Sequence, residues 1–260
     1  MGGGFGGPGG GLGIGPPFTP PVIKQLLIAL AVIFVLQGLW PTLVGYGAVI
    51  PFLVWQEGWL WQPFTYMWLH FGLGHILINA FMLWMFGSQL AMAWGARRFL
   101  QYYLVCGVGA GVLIATLPYL AFLLGGSEAG LVTRTAGASG AVYGVILAFS
   151  LTWPERTIAL IFPPVAFKAI WLIPIMFFMN VAFDTRGDVS HVGHLGGVLA
   201  GWLFLRWRGE AGSTFSLAQL KLRWRRYRMR RKLRAVQYED WESKRRERDD
   251  RTPPDDRPLH

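Results

Sequence analysis

Two short stretches of this chain carry residues that could transfer an acyl group. In TAGASGAVYGV, residues 135–145, Ser139 stands among glycines at the head of an apolar segment; in HVGHLGG, residues 191–197, two histidines lead another. A serine hydroxyl is a weak nucleophile until a neighbouring base takes its proton, and histidine is the usual base near neutral pH. Ser139 and His194 can supply that pair. A third stretch, HILIN, spaces His75 and Asn79 four residues apart, on one face of a helix. Both can donate hydrogen bonds to a developing oxyanion, where a single donor is typically worth about 2.7–4 kcal/mol. The N–H of Ser139, opening its helix without an intrahelical partner, is a further donor.

Each residue also has a plainer explanation. An isolated GxSG more often packs a helix crossing than it catalyses, His194 alone could be a core histidine bonded to a carbonyl, and His75 with Asn79 could merely hold a helix in place. The chemical reading depends on whether the elements carrying these residues bring them together.

Composition describes those elements. Of 260 residues, 53% are hydrophobic and only 15% charged, with a mean hydropathy of +0.39, too apolar for an ordinary soluble domain. The formal charge of +10 could point to nucleic acid, but 17 of the 24 Lys and Arg follow Leu205, so the basicity belongs to a tail. One cysteine, Cys106, excludes an internal disulfide and a CxxC metal site. The opening MGGGFGGPGGGLGIGPP has no positive n-region and no apolar core, and is expected to be an uncleaved flexible tail.

A membrane helix needs about 20 largely apolar residues, fewer where protein neighbours bury its ends. Six segments qualify, at 22–40, 71–91, 99–120, 139–153, 169–183 and 192–205. The fourth and sixth are short, with Gly, Ser and His at their ends, as expected of helices shielded from lipid. Lys24, Arg97, Arg98, Arg156, Lys168, Arg206 and Arg208 fall on one side, Arg134 and Arg186 on the other, which puts both termini in the cytoplasm. The connection 41–70, with Trp55, Trp59, Trp61, Tyr66 and Trp68, is expected to be an interfacial loop with short helices.

In that topology the second, fourth and sixth helices all start on the outer side, so their first turns share one depth. Those turns hold His75 and Asn79, Ser139 and Tyr143, and His191 and His194. Gly140 and Gly144 form a GxxxG on the fourth helix, and Gly193, Gly197 and Gly201 repeat the spacing on the sixth. Small residues at that interval let backbones approach closely, so rows facing each other bring Ser139 to His194. Tyr143, one turn below Ser139, could support the imidazole of His194 or simply pack the core. His70, five residues before His75, is expected to face elsewhere and anchor the loop. His191 with His75 is a poor metal site, because HExxH is absent and no carboxylate lies at that depth. Asp184 and Asp188 read as solvated loop charges, which leaves a Ser-His dyad.

With these motifs in order, the stretches WLWQPFTYMWLHFGLGHILIN, GASGAVYG and HVGHLGG resemble the rhomboid family of intramembrane serine proteases over about residues 22–207. The HxxxN, GxSG and HxxG set is specific when found together. The resemblance implies Ser139 as nucleophile, His194 as general base and His75 with Asn79 as oxyanion partners, with Gly137, Ala138 and Tyr143 in support. It also implies a water-filled cavity opening outward and cleavage of transmembrane substrates. Two positions depart from the family pattern: Gln62 follows Trp61 where the family often has Trp-Arg, and Ala91 stands where a glutamate is often found.

The resulting expectation is an all-α membrane protein: a six-transmembrane-helix rhomboid-like bundle (22–208) with an interfacial loop between helices 1 and 2. A Gly/Pro-rich tail (1–21) precedes it and a basic cytoplasmic tail (209–260) follows. It would be an intramembrane serine endopeptidase of a bacterial cell membrane, acting on single-pass transmembrane proteins without cofactor or metal. The alternative is an inactive rhomboid-like protein that binds transmembrane segments. A transporter is disfavoured, because no charge sits at midplane and the two halves show no repeat. The tail stretch KLRWRRYRMRRKLR reads as a binder of anionic lipid heads rather than nucleic acid, and RDDRTPPDDRPLH as disordered.

Overall fold

A computed structural model describes residues 15–159, 165–183, 191–208, 229 and 241–243. The chain divides into two compact units, 1–208 and 209–260. The first begins with α1 (Pro21–Leu39), whose proline sits in the first turn, where its missing N–H costs nothing. The connection to the next long helix contains α2 (Thr42–Gly47), α3 (Pro51–Trp55), α4 (Gln62–Thr65) and a 3₁₀ turn at Tyr66–Trp68. Helix α5 (Leu73–Met82) then runs through a π-helical turn, Leu83–Gly87, into α6 (Ser88–Trp94). Gly95, at φ 82°, breaks the chain before α7 (Ala96–Leu123).

Helix α8 (Ser139–Thr152) is followed by strands β1 (Thr157–Ala159) and β2 (Ala166–Lys168), then α9 (Leu172–Phe183) and α10 (His191–Trp207). The strands pair antiparallel, Thr157 with Lys168, Ile158 with Phe167 and Ala159 with Ala166. This hairpin departs from the purely helical expectation. Its ladder satisfies backbone groups in a connection too short for another helix, and Lys168 pairs with Glu155 beside it.

Among the described residues three helices are long and apolar enough to cross a membrane: α1, the continuous Leu73–Trp94, and α7. Their outer surfaces are apolar, with Ile28, Val32, Val35 and Leu39 exposed along α1 and Val105, Val112 and Leu120 along α7. Water would not stabilise such stripes. The other three are short, α8 having 14 residues, or about 21 Å at 1.5 Å per residue, less than a hydrocarbon core of about 30 Å.

Helix α8 is the core element. Eleven of its 14 residues are buried, among them all of Gly140–Ile146, and a helix that is apolar all round belongs inside. It packs on α7 and α10. A methyl group on Gly140 would lie 3.1 Å from the Gly193 carbonyl oxygen and one on Gly144 would lie 3.2 Å from that of Gly197, while one on Gly197 would overlap the Gly140 carbonyl. The two glycine rows therefore face each other at backbone contact. On the opposite side Phe149 meets Phe86 edge-on, with ring centroids 4.9 Å apart.

The loop 41–70 is held by hydrogen bonds that the sequence pattern does not display. Gln62, fully buried, accepts from the Ile50 N–H at 2.9 Å and donates to the Tyr46 carbonyl at 3.4 Å. Thr65 donates to the Gly47 carbonyl at 2.8 Å and the Trp61 indole to that of Tyr46 at 3.0 Å. Tyr46, Trp59 and Trp61 stack in series, with centroids 5.5 and 5.2 Å apart. Ala91, the other departure from the family pattern, is buried in α6.

Candidate active site

The site grows from the turn that opens α8. Val49 and Thr135 exchange two backbone hydrogen bonds of 2.9 Å, which ties the segment before α8 to the loop 41–70. The Gly137 N–H donates to the Tyr66 carbonyl at 3.0 Å, and the Ala138 N–H donates to Nε2 of His70 at 3.3 Å. Gly137 has φ 136°, a conformation that side chains rarely adopt. That turn delivers Ser139 as the first residue of α8, half-buried, with its N–H outside the intrahelical ladder.

His75 stands over the turn. A methyl group on Gly137 would lie 2.7 Å from Cε1 and 2.8 Å from Nε2 of His75, so the imidazole edge occupies the space that glycine leaves. Asn79 is buried one turn along α5, and its Nδ2 donates to the His75 carbonyl at 2.8 Å. In this structure that amide braces the His75 backbone, where the spacing alone suggests a donor directed with His75 toward a common point.

His194 arrives from α10. Its ring stacks on Tyr143, with centroids 4.1 Å apart and planes 11° from parallel. Tyr143 follows Ser139 by one turn on the same face of α8, and its hydroxyl donates to the Met176 carbonyl of α9 at 3.3 Å. His194 is buried, and its Nδ1 has no hydrogen-bond partner among the described residues. His191 instead turns to Phe177, 6.2 Å between centroids. Asp184 and Asp188 lie outside the described residues. Among the described residues no three His, Cys, Asp or Glu side chains converge as a metal site would require.

The structure thus gathers His75, Gly137, Ala138, Ser139, Tyr143 and His194 around the head of α8, with Asn79 behind His75. It also adds His70, whose spacing alone suggests a loop anchor facing away from His75. His70 is fully buried and its ring meets that of His75 edge-on at 5.0 Å. It precedes α5, so helical spacing never governed its direction. Gln37 on α1 holds it, accepting from the His70 N–H at 3.0 Å and donating to the His70 carbonyl. The signal for Gln37 was present as a lone polar side chain in the last turn of an apolar span, where such groups need a reason.

A family model for the Rhomboid domain matches residues 57–209, more than half of the chain. The chain belongs to the rhomboid family. It is 27% identical over 206 residues to the rhomboid protease GlpG of Yersinia enterocolitica, covering 75% of this chain and 66% of that one. It is 28% identical over 169 residues to the rhomboid protease GluP of Bacillus subtilis, covering 62% and 28%. It is 31% identical over 154 residues to the human mitochondrial presenilin-associated rhomboid-like protein, covering 54% and 36%. The aligned part thus spans about a third of the length of these last two relatives. Family membership and the apolar helices make the chain an integral membrane protein. With relatives from bacteria and from mitochondria, the family does not support the bacterial cell membrane expected above.

Gly137 offers a test of the turn. Gly137→Ala is expected to destabilise the fold by about 1–3 kcal/mol through backbone strain and displacement of His75. Gly74→Ala, whose added methyl would meet nothing within 4 Å, is expected to be neutral or stabilising by up to about 1 kcal/mol. Thermal unfolding in detergent compares them, and equal behaviour of the two would contradict the packing described.

Proposed function

We propose that this rhomboid-family chain is an intramembrane serine endopeptidase with Ser139 as nucleophile and His194 as general base. The observation that carries the reading is the stacking of His194 on Tyr143, one turn from Ser139, at a helix crossing made close by facing glycines. In the proposed reaction, Ser139 Oγ attacks the scissile carbonyl while His194 takes the hydroxyl proton. The tetrahedral oxyanion is held by the Ser139 N–H, His75 and, once its amide leaves the His75 carbonyl, Asn79. Collapse breaks the C–N bond, and His194 gives its proton to the departing amine. Water, activated by the same histidine, then hydrolyses the acyl-enzyme and restores Ser139.

A pair without a carboxylate suits this site. Tyr143 fixes the imidazole plane by stacking, a task that a hydrogen-bonded aspartate performs in a triad. The substrate class is a transmembrane segment, because six spans would hold the site at membrane depth and the tryptophan-rich loop 41–70 would sit at the outer interface. Both termini would be cytoplasmic, with the basic tail on anionic lipid at about 1 kcal/mol per basic residue. That tail lies outside the described residues.

Purified protein in detergent or liposomes is expected to cleave a model transmembrane substrate, and Ser139→Ala to lose that cleavage entirely. Undiminished cleavage by the variant would sink the assignment; an inactive wild type that still binds the segment would establish the non-catalytic reading. For orientation and tail together, protease applied outside sealed cells is expected to spare both termini. Neutralising Arg225, Arg226, Arg230 and Arg231 is expected to weaken binding of the tail peptide to anionic vesicles. Equal binding of the unaltered peptide to neutral vesicles would contradict the electrostatic account.

A further inference from the structure

The loop residue His70 sits where the chain can least tolerate an unpaired peptide. It is fully buried between the end of α1, the start of α5 and the turn before α8, in a protein whose surroundings are lipid. Its N–H donates to Oε1 of Gln37 at 3.0 Å and its carbonyl accepts from Nε2 of the same side chain. One amide side chain thus pairs both backbone groups of one residue. Because one atom accepts and the other donates, the pairing also fixes which way the Gln37 amide is turned.

What Gln37 holds in place has its own contact at the site. His70 Nε2 accepts from the N–H of Ala138, the residue immediately before Ser139. A nitrogen that accepts a hydrogen bond carries no proton, so this contact requires Nε2 of His70 to be unprotonated. The Gly137–Ala138 peptide held in this way is the one immediately before the peptide that carries the Ser139 N–H. The same imidazole meets His75 edge-on at 5.0 Å. Gln37, His70, Ala138 and Ser139 are therefore consecutive contacts from the first helix to the head of α8.

We infer that Gln37 is a positioning residue of the proposed hydrolase site: through the His70 backbone it sets the imidazole that orients the Ala138 peptide, and thereby the Ser139 N–H offered to the oxyanion. The inference rests on the protease reading of Ser139. It assigns a role to α1, which otherwise lies away from the dyad. The interaction is made to the backbone conformation preceding the nucleophile, and the oxyanion exists only during reaction. The loss should therefore appear in turnover, with substrate affinity little changed.

The test is a double-mutant cycle on the full-length protein, reading kcat and KM on a transmembrane model substrate. Gln37→Met keeps the volume and removes both polar atoms; His70→Leu removes the acceptor for Ala138. Each single variant is expected to lose about tenfold in kcat with KM within about twofold, a tenfold loss being about 1.4 kcal/mol of barrier. The double variant is expected to match His70→Leu within about twofold, because Gln37 acts through His70. Losses that multiply to about a hundredfold, a Gln37→Met loss confined to KM, or no loss at all would each overturn the inference.

If Gln37→Met does not purify folded, Gln37→Glu replaces it in the cycle. It keeps the acceptor for the His70 N–H and loses the donor to the carbonyl, so a smaller loss that again fails to compound with His70→Leu is expected. Ser139→Ala run alongside separates the two proposals. A wild type with no Ser139-dependent cleavage overturns the protease reading and this inference with it. A wild type that cleaves, paired with an unaffected or compounding Gln37 variant, overturns this inference alone.

Discussion

Backbone contact between α8 and α10 is the constraint from which the site follows. The Gly140 and Gly144 row lies against the carbonyls of Gly193 and Gly197, and a methyl group on Gly197 has no room at all. Inside lipid, hydrophobic burial does little to drive one apolar helix onto another, so close van der Waals packing between small residues carries the association. Its consequence is chemical as well as structural. Ser139 immediately precedes the first glycine of one row and His194 immediately follows the first glycine of the other, and the imidazole stacks on Tyr143, one turn along α8 from Ser139, as the proposed pair requires. Tyr143 then fills the space beneath His194 and sets its plane.

A second constraint is the satisfaction of backbone polar groups where helices end. The turn before α8 and the loop 41–70 complete each other: Val49 pairs with Thr135, the Tyr66 carbonyl takes the Gly137 N–H, and His70 takes that of Ala138. Within the loop, Gln62 performs the same task for Ile50 and Tyr46 from a fully buried position. A neutral amide there is satisfied by two backbone partners and needs no counter-charge. The loop is thus part of the wall that gives Ser139, the proposed nucleophile, its backbone geometry.

Much of this was legible in the sequence, and the residues show why. Helix positions followed from long apolar runs, and the match of the two glycine rows followed from spacing alone, because both signals are local and periodic. The pairing of Thr157–Ala159 with Ala166–Lys168 is not legible in the sequence, because six strand residues carry too little pattern to distinguish from a loop. Helical spacing does not govern His70, which lies before α5, so its turn toward His75 leaves no periodic mark. The pairing of Gln37 with His70, 33 positions apart, and the turning of the Asn79 amide onto its own backbone depend on tertiary geometry that no spacing rule encodes. The π turn at Leu83–Gly87 likewise leaves no periodic mark in so apolar a run.

The central claim is that the helix crossing yields an activated serine, and activation is directly measurable as chemical reactivity. The decisive measurement is mass-spectrometric mapping of a fluorophosphonate adduct on the folded protein, with His194→Ala as the comparison. A single adduct on Ser139, lost in the histidine variant while the variant remains folded, is the result this account predicts. An adduct on another serine, or equal labelling of Ser139 without His194, would contradict it.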